Sequence, residues 1–179
     1  MRLFVAIDVP EGDRAAWRAL RTPDALPARW TDPSQYHVTL RFIGEGDADA
    51  AARYADALRT VEAPPARCVP YGLDVLPSRR SPRVLVVGLE RTDALLAVYR
   101  AVNAALEGAG LEPDERSFRP HVTLARLDDA SPEAVHAYLN AHTADVPAFR
   151  ASGIHLYESL LTDAGARHER RATIPLGGP

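Results

Sequence analysis

The tetrapeptide His-Val-Thr-Leu occurs twice, at His37–Leu40 and at His121–Leu124, and this recurrence constrains the fold more than any other feature. In an extended strand, side chains i and i+2 share one face, and i+1 and i+3 share the other. Each copy therefore sets a histidine and a threonine on one face, with a valine and a leucine opposite. One face can pack a core while the other presents an imidazole and a hydroxyl. Two such strands directed at a common cleft supply two proton-transfer groups and two hydroxyl donors.

The flanks extend the recurrence. The two histidines are 84 residues apart, and Gly72-Leu73-Asp74-Val75-Leu76-Pro77-Ser78 aligns with Gly153-Ile154-His155-Leu156-Tyr157-Glu158-Ser159 at an offset of 81. The shared pattern is Gly, aliphatic, x, aliphatic, x, x, Ser. Strands are expected at Leu3–Val9, Tyr36–Ile43 (closed by Gly44), Arg67–Leu76, Val84–Leu89, Pro120–Leu127, Ala148–Tyr157 and Arg170–Leu176. Pro77 to Pro82 reads as a basic turn. Helices are expected at Asp13–Leu20, at the alanine-rich Asp47–Val61 before Pro64-Pro65, at Thr92–Gly108 and from Ser131-Pro132-Glu133 onward. Strand, helix, His-Thr strand, helix, strand thus occurs twice.

The expected fold class is α+β, a single bilobal domain over 1–179 built by internal duplication, with repeats at approximately 1–80 and 81–179. Each lobe is expected to be a small, mostly antiparallel sheet with helices on its outer face. The active site would then lie in the central cleft.

Composition narrows the chemistry. The net charge of −3 does not suggest a general nucleic-acid coat protein. All 21 basic residues are arginine, so lysine nucleophiles, Schiff bases and P-loop lysines are excluded. Anion contacts fall to arginine, backbone N–H, hydroxyls or protonated histidine. Cys68 is the one cysteine, which rules out disulfides within the chain and cysteine-rich zinc sites. No apolar run approaches the roughly 18 residues of a membrane span. Leu3–Val9 is short and carries Asp8, unlike a signal peptide. A cytoplasmic protein is expected.

His37 and His121 are the candidate catalytic residues. Metal binding would need three or four ligands, and neither motif strand carries a carboxylate partner. A threonine nucleophile would leave the duplication unexplained. Paired histidines fit best as acid and base, one deprotonating an attacking hydroxyl or water and the other protonating the leaving oxygen. Thr39 and Thr123 would hold the non-bridging oxygens of a phosphate diester, with no metal or cofactor required.

These surroundings resemble the 2H phosphoesterase superfamily, and within it the bacterial RNA 2′,3′-cyclic phosphodiesterases, also called 2′-5′ RNA ligases. The resemblance covers nearly the whole chain. It rests on Leu3-Phe4-Val5-Ala6-Ile7, on His37 through Gly44 (His-Val-Thr-Leu-Arg-Phe-Ile-Gly), on Ser81-Pro82-Arg83-Val84-Leu85, and on Arg119 through Arg126 (Arg-Pro-His-Val-Thr-Leu-Ala-Arg). It implies hydrolysis of RNA 2′,3′-cyclic phosphate ends, or of cyclic nucleotides, to a 2′-phosphate and a 3′-hydroxyl. In reverse, a 5′-hydroxyl would replace water and form a 2′-5′ linkage without ATP.

By this similarity His37 is the acid that protonates O3′ and His121 the base that activates water. Thr39 and Thr123 contact phosphate, and Phe42 and Arg126 contact base or phosphate. Strict alternation puts Phe42 and Arg126 on the face opposite the histidines, so a functional role requires a twist or bulge. Arg79, Arg80 and Arg83 read either as a solvated turn or as an RNA-backbone contact. His136 and His142 are expected at the surface, and His155 takes the place of Asp74 in the other repeat. His168 replaces a tyrosine frequent in the family. The rival readings are a phosphodiesterase for another 2′-5′ or cyclic nucleotide, and a non-catalytic RNA-end binding module. No membrane or obligate protein partner is implied.

Overall fold

The computed structural model describes residues 1–128, 130–162 and 165–177. The first half of the chain forms β1 (Arg2–Asp8), α1 (Arg14–Arg18), β2 (Arg29–Trp30), a 3₁₀ turn (Pro33–Gln35), β3 (His37–Glu45), α2 (Ala48–Leu58), β4 (Ala66–Cys68) and β5 (Pro70–Ser78). The second half forms β6 (Ser81–Leu89), α3 (Asp93–Gly108), β7 (His121–Arg126), α4 (Pro132–Ala141), β8 (Phe149–Ala151), β9 (Gly153–Thr162) and β10 (Gly165–Pro175).

Helix starts follow local chemistry. The side chains of Asp47, Thr92 and Ser131 accept from the backbone N–H groups of Ala50, Leu95 and Ala134, satisfying otherwise orphaned donors. Along α3, Leu95, Val98, Val102 and Leu106 recur at helical spacing and are fully buried. Each such side chain contributes about 1.5–3 kcal/mol by leaving water. They join Val38, Leu40, Val122 and Leu124 in one core. The helices therefore cover the valine–leucine face of the motif strands and leave the histidine face free. No described helix is long and apolar enough to cross a membrane.

One antiparallel sheet runs through the molecule in the order β10-β9-β1-β3-β7-β6-β5, with β2 added to β7. Its two halves meet where β3 and β7 pair, at the single position Val38↔Val122. β4 and β8 form a separate ribbon in which Arg67 pairs with Arg150. Val38 and Val122 are equivalent in the sequence repeat, and Arg67 and Arg150 nearly so. Equivalent residues meet in this way when a two-fold axis passes between them.

Four features depart from the sequence reading. The repeats 1–80 and 81–179 do not each form their own lobe, and Gly178 and Pro179 lie outside the described residues. Instead β5 pairs with β6 of the second repeat, and β9 pairs with β1 of the first. Both expected strands Arg67–Leu76 and Ala148–Tyr157 are split, giving β4/β5 and β8/β9. The expected turn at Pro77 to Pro82 is mostly strand, with only Arg79-Arg80 at the tip. β10 begins earlier than expected, because the polar run Arg167 to Glu169 also lies in the strand paired with β9.

Candidate active site

The two motif strands show the same burial pattern from histidine to the sixth residue: half-buried, buried, half-buried, buried, buried, exposed. Val38, Leu40, Val122 and Leu124 point into the core, and His37, Thr39, His121 and Thr123 line the opposite face. The repeated pair of buried residues marks a β-bulge in each strand. Along β1, Ala6 pairs with Thr39 but Val5 pairs with Arg41, leaving Leu40 as the extra residue. Along β6, Val86 pairs with Thr123 but Leu85 pairs with Ala125, leaving Leu124 extra.

The bulges shift the alternation by one residue. Phe42 and Arg126 therefore return to the histidine face, where strict alternation would not put them. Phe42 is 58% exposed, its ring centroid 6.2 Å from that of Phe4 and 5.9 Å from the Arg116 guanidinium. Arg41 is turned into the core instead. There it donates to the Asn103 side-chain oxygen at 2.6 Å and to the Glu112 carbonyl, tying β3 to α3 and the loop beyond.

Both histidines are oriented alike. His37 Nδ1 donates to the Gln35 carbonyl at 2.7 Å, and His121 Nδ1 donates to the Arg119 carbonyl at 2.6 Å. A carbonyl only accepts, so the proton sits on Nδ1, and in each neutral ring Nε2 is left for a ligand. Burial lowers the pKa of each, opposed in each by its backbone hydrogen bond.

The charges beside them differ. Asp8 pushes the His37 pKa up, against the opposing effect of His121, whereas Arg119 pushes the His121 pKa down. Asp8 pairs with His37 in the β1–β3 register, and the residue in that place beside His121 is Gly88. The Asp8 carboxylate is held in turn. Tyr157 donates its hydroxyl to it at 2.8 Å, Arg170 Nη2 donates at 2.6 Å, and His155 Nε2 stands 3.8 Å away. Desolvation pushes the Tyr157 pKa up to about 12, so it stays a donor.

His168 belongs to this face too. It packs edge-on against Phe4 at 4.8 Å and against His37 at 5.4 Å, while Phe4 stacks on Tyr157 at 5.3 Å. Desolvation, with His37 and Arg126 nearby, lowers its pKa to about 4. Its Nδ1 is buried without a hydrogen-bond partner among the described residues. A cavity of about 250 Å³ lies over His37, lined also by Asp8, Arg14, Ser34, Gln35, Tyr157, His168 and Arg170.

Other candidates lie apart. Arg79 and Arg80 sit at the exposed tip of the β5–β6 hairpin, with Arg79 Nε 3.8 Å from Asp74, and Arg83 is exposed on β6. His136 Nε2 lies 2.8 Å from the Arg79 carbonyl and anchors that tip to α4. His142 stacks on Tyr138. Among the described residues, no three His, Cys, Asp or Glu side chains are grouped as a metal ion would need. Asp8, Tyr157, Arg170 and His155 were not singled out as site residues from sequence. The available signal was that Asp8 lies near the end of the strand expected at Leu3–Val9.

Two His-x-Thr strands thus meet across one bridge on the open face of an antiparallel sheet. The 2′-5′ RNA ligase superfamily matches residues 9–163, and the chain belongs to that family. An RNA 2′,3′-cyclic phosphodiesterase of Aeropyrum pernix is 32% identical over 143 residues, covering 78% of this chain and 81% of the relative. A Thermus thermophilus structure superposes with a TM-score of 0.79 at 24% identity, covering 98% of this chain and 97% of that one. E. coli LigT in complex with 3′-AMP superposes at 0.73 with 25% identity, covering 99% and 98%.

Proposed function

We propose that the chain is an RNA 2′,3′-cyclic phosphodiesterase that opens a ribose 2′,3′-cyclic phosphate to a 2′-phosphate and a 3′-hydroxyl. Its active site is the groove between His37 and His121, and its two halves derive from an internal duplication. The observation that carries this reading is the pair of histidines with matching Nδ1 hydrogen bonds and unequal neighbouring charges. His121, beside Arg119, is the better neutral base. Its Nε2 removes a proton from water as the oxygen attacks phosphorus. His37 has Asp8 beside it, whose charge favours the imidazolium form. Its Nε2 gives a proton to O3′ as the P–O3′ bond breaks.

Thr39 and Thr123 flank the histidines and donate to the non-bridging oxygens. Arg126 balances phosphate charge at one end of the groove, and Phe42 offers a stacking surface at the other. No step needs a metal or an organic cofactor. In the reverse direction a polynucleotide 5′-hydroxyl takes the place of water and forms a 2′-5′ linkage. The names of the relatives support the substrate class, as does the 3′-AMP complex of LigT.

Incubation with a 2′,3′-cyclic mononucleotide, resolving 2′- from 3′-phosphate, tests the reading. The 2′-phosphate is expected, with activity retained in chelator. A 3′-phosphate product would overturn the assigned leaving group, and activity lost to chelator and restored by a divalent ion would overturn the metal-free mechanism.

A further inference from the structure

The two halves of the groove differ in what lies beyond the histidines. Beside His121, the Tyr71 ring lies directly over Gly88, and a Cβ on Gly88 would stand only 2.0 Å from Tyr71 Cζ. At the equivalent places beside His37 stand Ser152 for Tyr71 and Asp8 for Gly88. With no ring there, a second cavity of about 290 Å³ opens, lined by Arg14, Arg150, Arg170, Ser152 and His155, with Asp8 and Glu11 as its carboxylates. It adjoins the cavity over His37, sharing Asp8, Arg14 and Arg170 with it.

Its charge is unequally engaged. Asp8 is already matched by Arg170 and Tyr157. Among the described residues Arg14 engages only Nε, on the Val9 carbonyl. Arg150 is exposed on β8 and forms no ion pair among the described residues. Against these two uncommitted guanidiniums stands Glu11 alone. His155 has its pKa lowered by burial and adds a neutral polar edge. Guanidinium groups in a concave polar setting favour a phosphate oxyanion over an apolar ligand.

We propose that this cavity is a subsite for the phosphodiester one nucleotide upstream of the cyclic end, a proposal that rests on the function read above. The acid His37 faces the last ribose, and the strand leading into that ribose leaves it through its 5′ oxygen. The contiguous arginine cavity receives the phosphate met there. Occupancy makes the enzyme select a polynucleotide end over a free cyclic nucleotide. The effect falls on KM, because this phosphate takes no part in the bond change.

The test compares 2′,3′-cyclic AMP, a diadenylate ending in the cyclic phosphate, and the same diadenylate with an uncharged methylphosphonate linkage. The diester dinucleotide is expected to exceed the mononucleotide in kcat/KM by about ten- to a hundredfold, the worth of one or two charge-assisted hydrogen bonds. The methylphosphonate should lose that gain. Arg150→Ala should abolish it too while leaving turnover of 2′,3′-cyclic AMP unchanged. Equal turnover of all three substrates would overturn the subsite, as would an Arg150→Ala variant impaired equally on all of them. If none is hydrolysed, the phosphodiesterase reading fails separately. Calorimetric binding of the dinucleotide then decides: weakening in Arg150→Ala supports the subsite, and equal or absent binding overturns it.

Discussion

The His37 half and the His121 half share a backbone design and differ in chemistry. Both present His-Val-Thr-Leu, both carry a bulge at the leucine, and both fix Nδ1 on a carbonyl two residues back. Yet one histidine has Asp8 beside it and the other has Gly88 and Arg119. Phe42 in one half answers to Arg126 in the other, and Ser152 to Tyr71. In the proposed mechanism the repeated geometry aims two imidazoles at one phosphate. The unequal neighbours push the two pKa values apart, Asp8 raising that of His37 and Arg119 lowering that of His121, within a burial that lowers both.

The largest test of this difference removes each imidazole. His37→Ala and His121→Ala should each lower kcat on a 2′,3′-cyclic nucleotide by roughly 10²- to 10⁴-fold. A variant with near-normal turnover would end the paired mechanism. The next test removes the charge that separates them. Asp8 holds the His37 pKa up, so Asp8→Asn should let it fall. The basic limb of the pH profile then moves to lower pH, with roughly tenfold less activity on the alkaline side for each pKa unit lost. The acidic limb, set by His121, should stay in place, and its movement instead would reverse the two roles.

The ends of the groove give a smaller contrast. Arg126→Ala should reduce kcat/KM by about tenfold or more for every base, through loss of a charged contact. Phe42→Ala should cost roughly fivefold and vary with the base, as stacking does. Uniform losses from Phe42→Ala would assign it to packing. The smallest effect concerns His168, which has no counterpart in the other half. Its folded pKa of about 4 lies below the ordinary 6.5, so the unfolded chain binds the proton more readily. Stability from its neutral form is whole above pH 6.5 and is lost as pH falls toward 4. Melting of His168→Phe at pH 7 and pH 4.5 should show a shallower drop than the parent, and an identical drop would remove His168 from the acid response.

Much of this was legible in the sequence, for local reasons. The His-Val-Thr-Leu strands declare their two faces by alternation, and Asp47, Thr92 and Ser131 announce the helices they cap. The bulges were not legible, because an extra residue shows only against the partner strand. Phe42 and Arg126 consequently looked misdirected from sequence, although the sites they reach were expected. The earlier part of β10, Arg167 to Glu169, was hidden by its polarity: His168 faces the groove, so this polar stretch lines a site rather than marking a loop. The Asp8–Tyr157–Arg170 cluster joins residues from both ends of the chain, and no local pattern reports such a meeting.

The exchange of β5 and β9 between repeats bears on what half of this chain could be. A single repeat can pair its first strand on one edge only, with its own motif strand, since the other edge is filled from the other repeat: Val5 pairs with Leu156 and Leu85 with Val75. Two identical copies could close the sheet only by lending each other their last strands, with Val38 meeting its own twin. Such a homodimer would hold two aspartate-flanked histidines, which in the proposed mechanism means two acids and no base. Joining the copies into one polypeptide removes that identity, so one half can keep the carboxylate while the other gives it up. Separately produced fragments 1–80 and 81–179 should accordingly recover activity when mixed, and neither should do so alone or as a pair of itself.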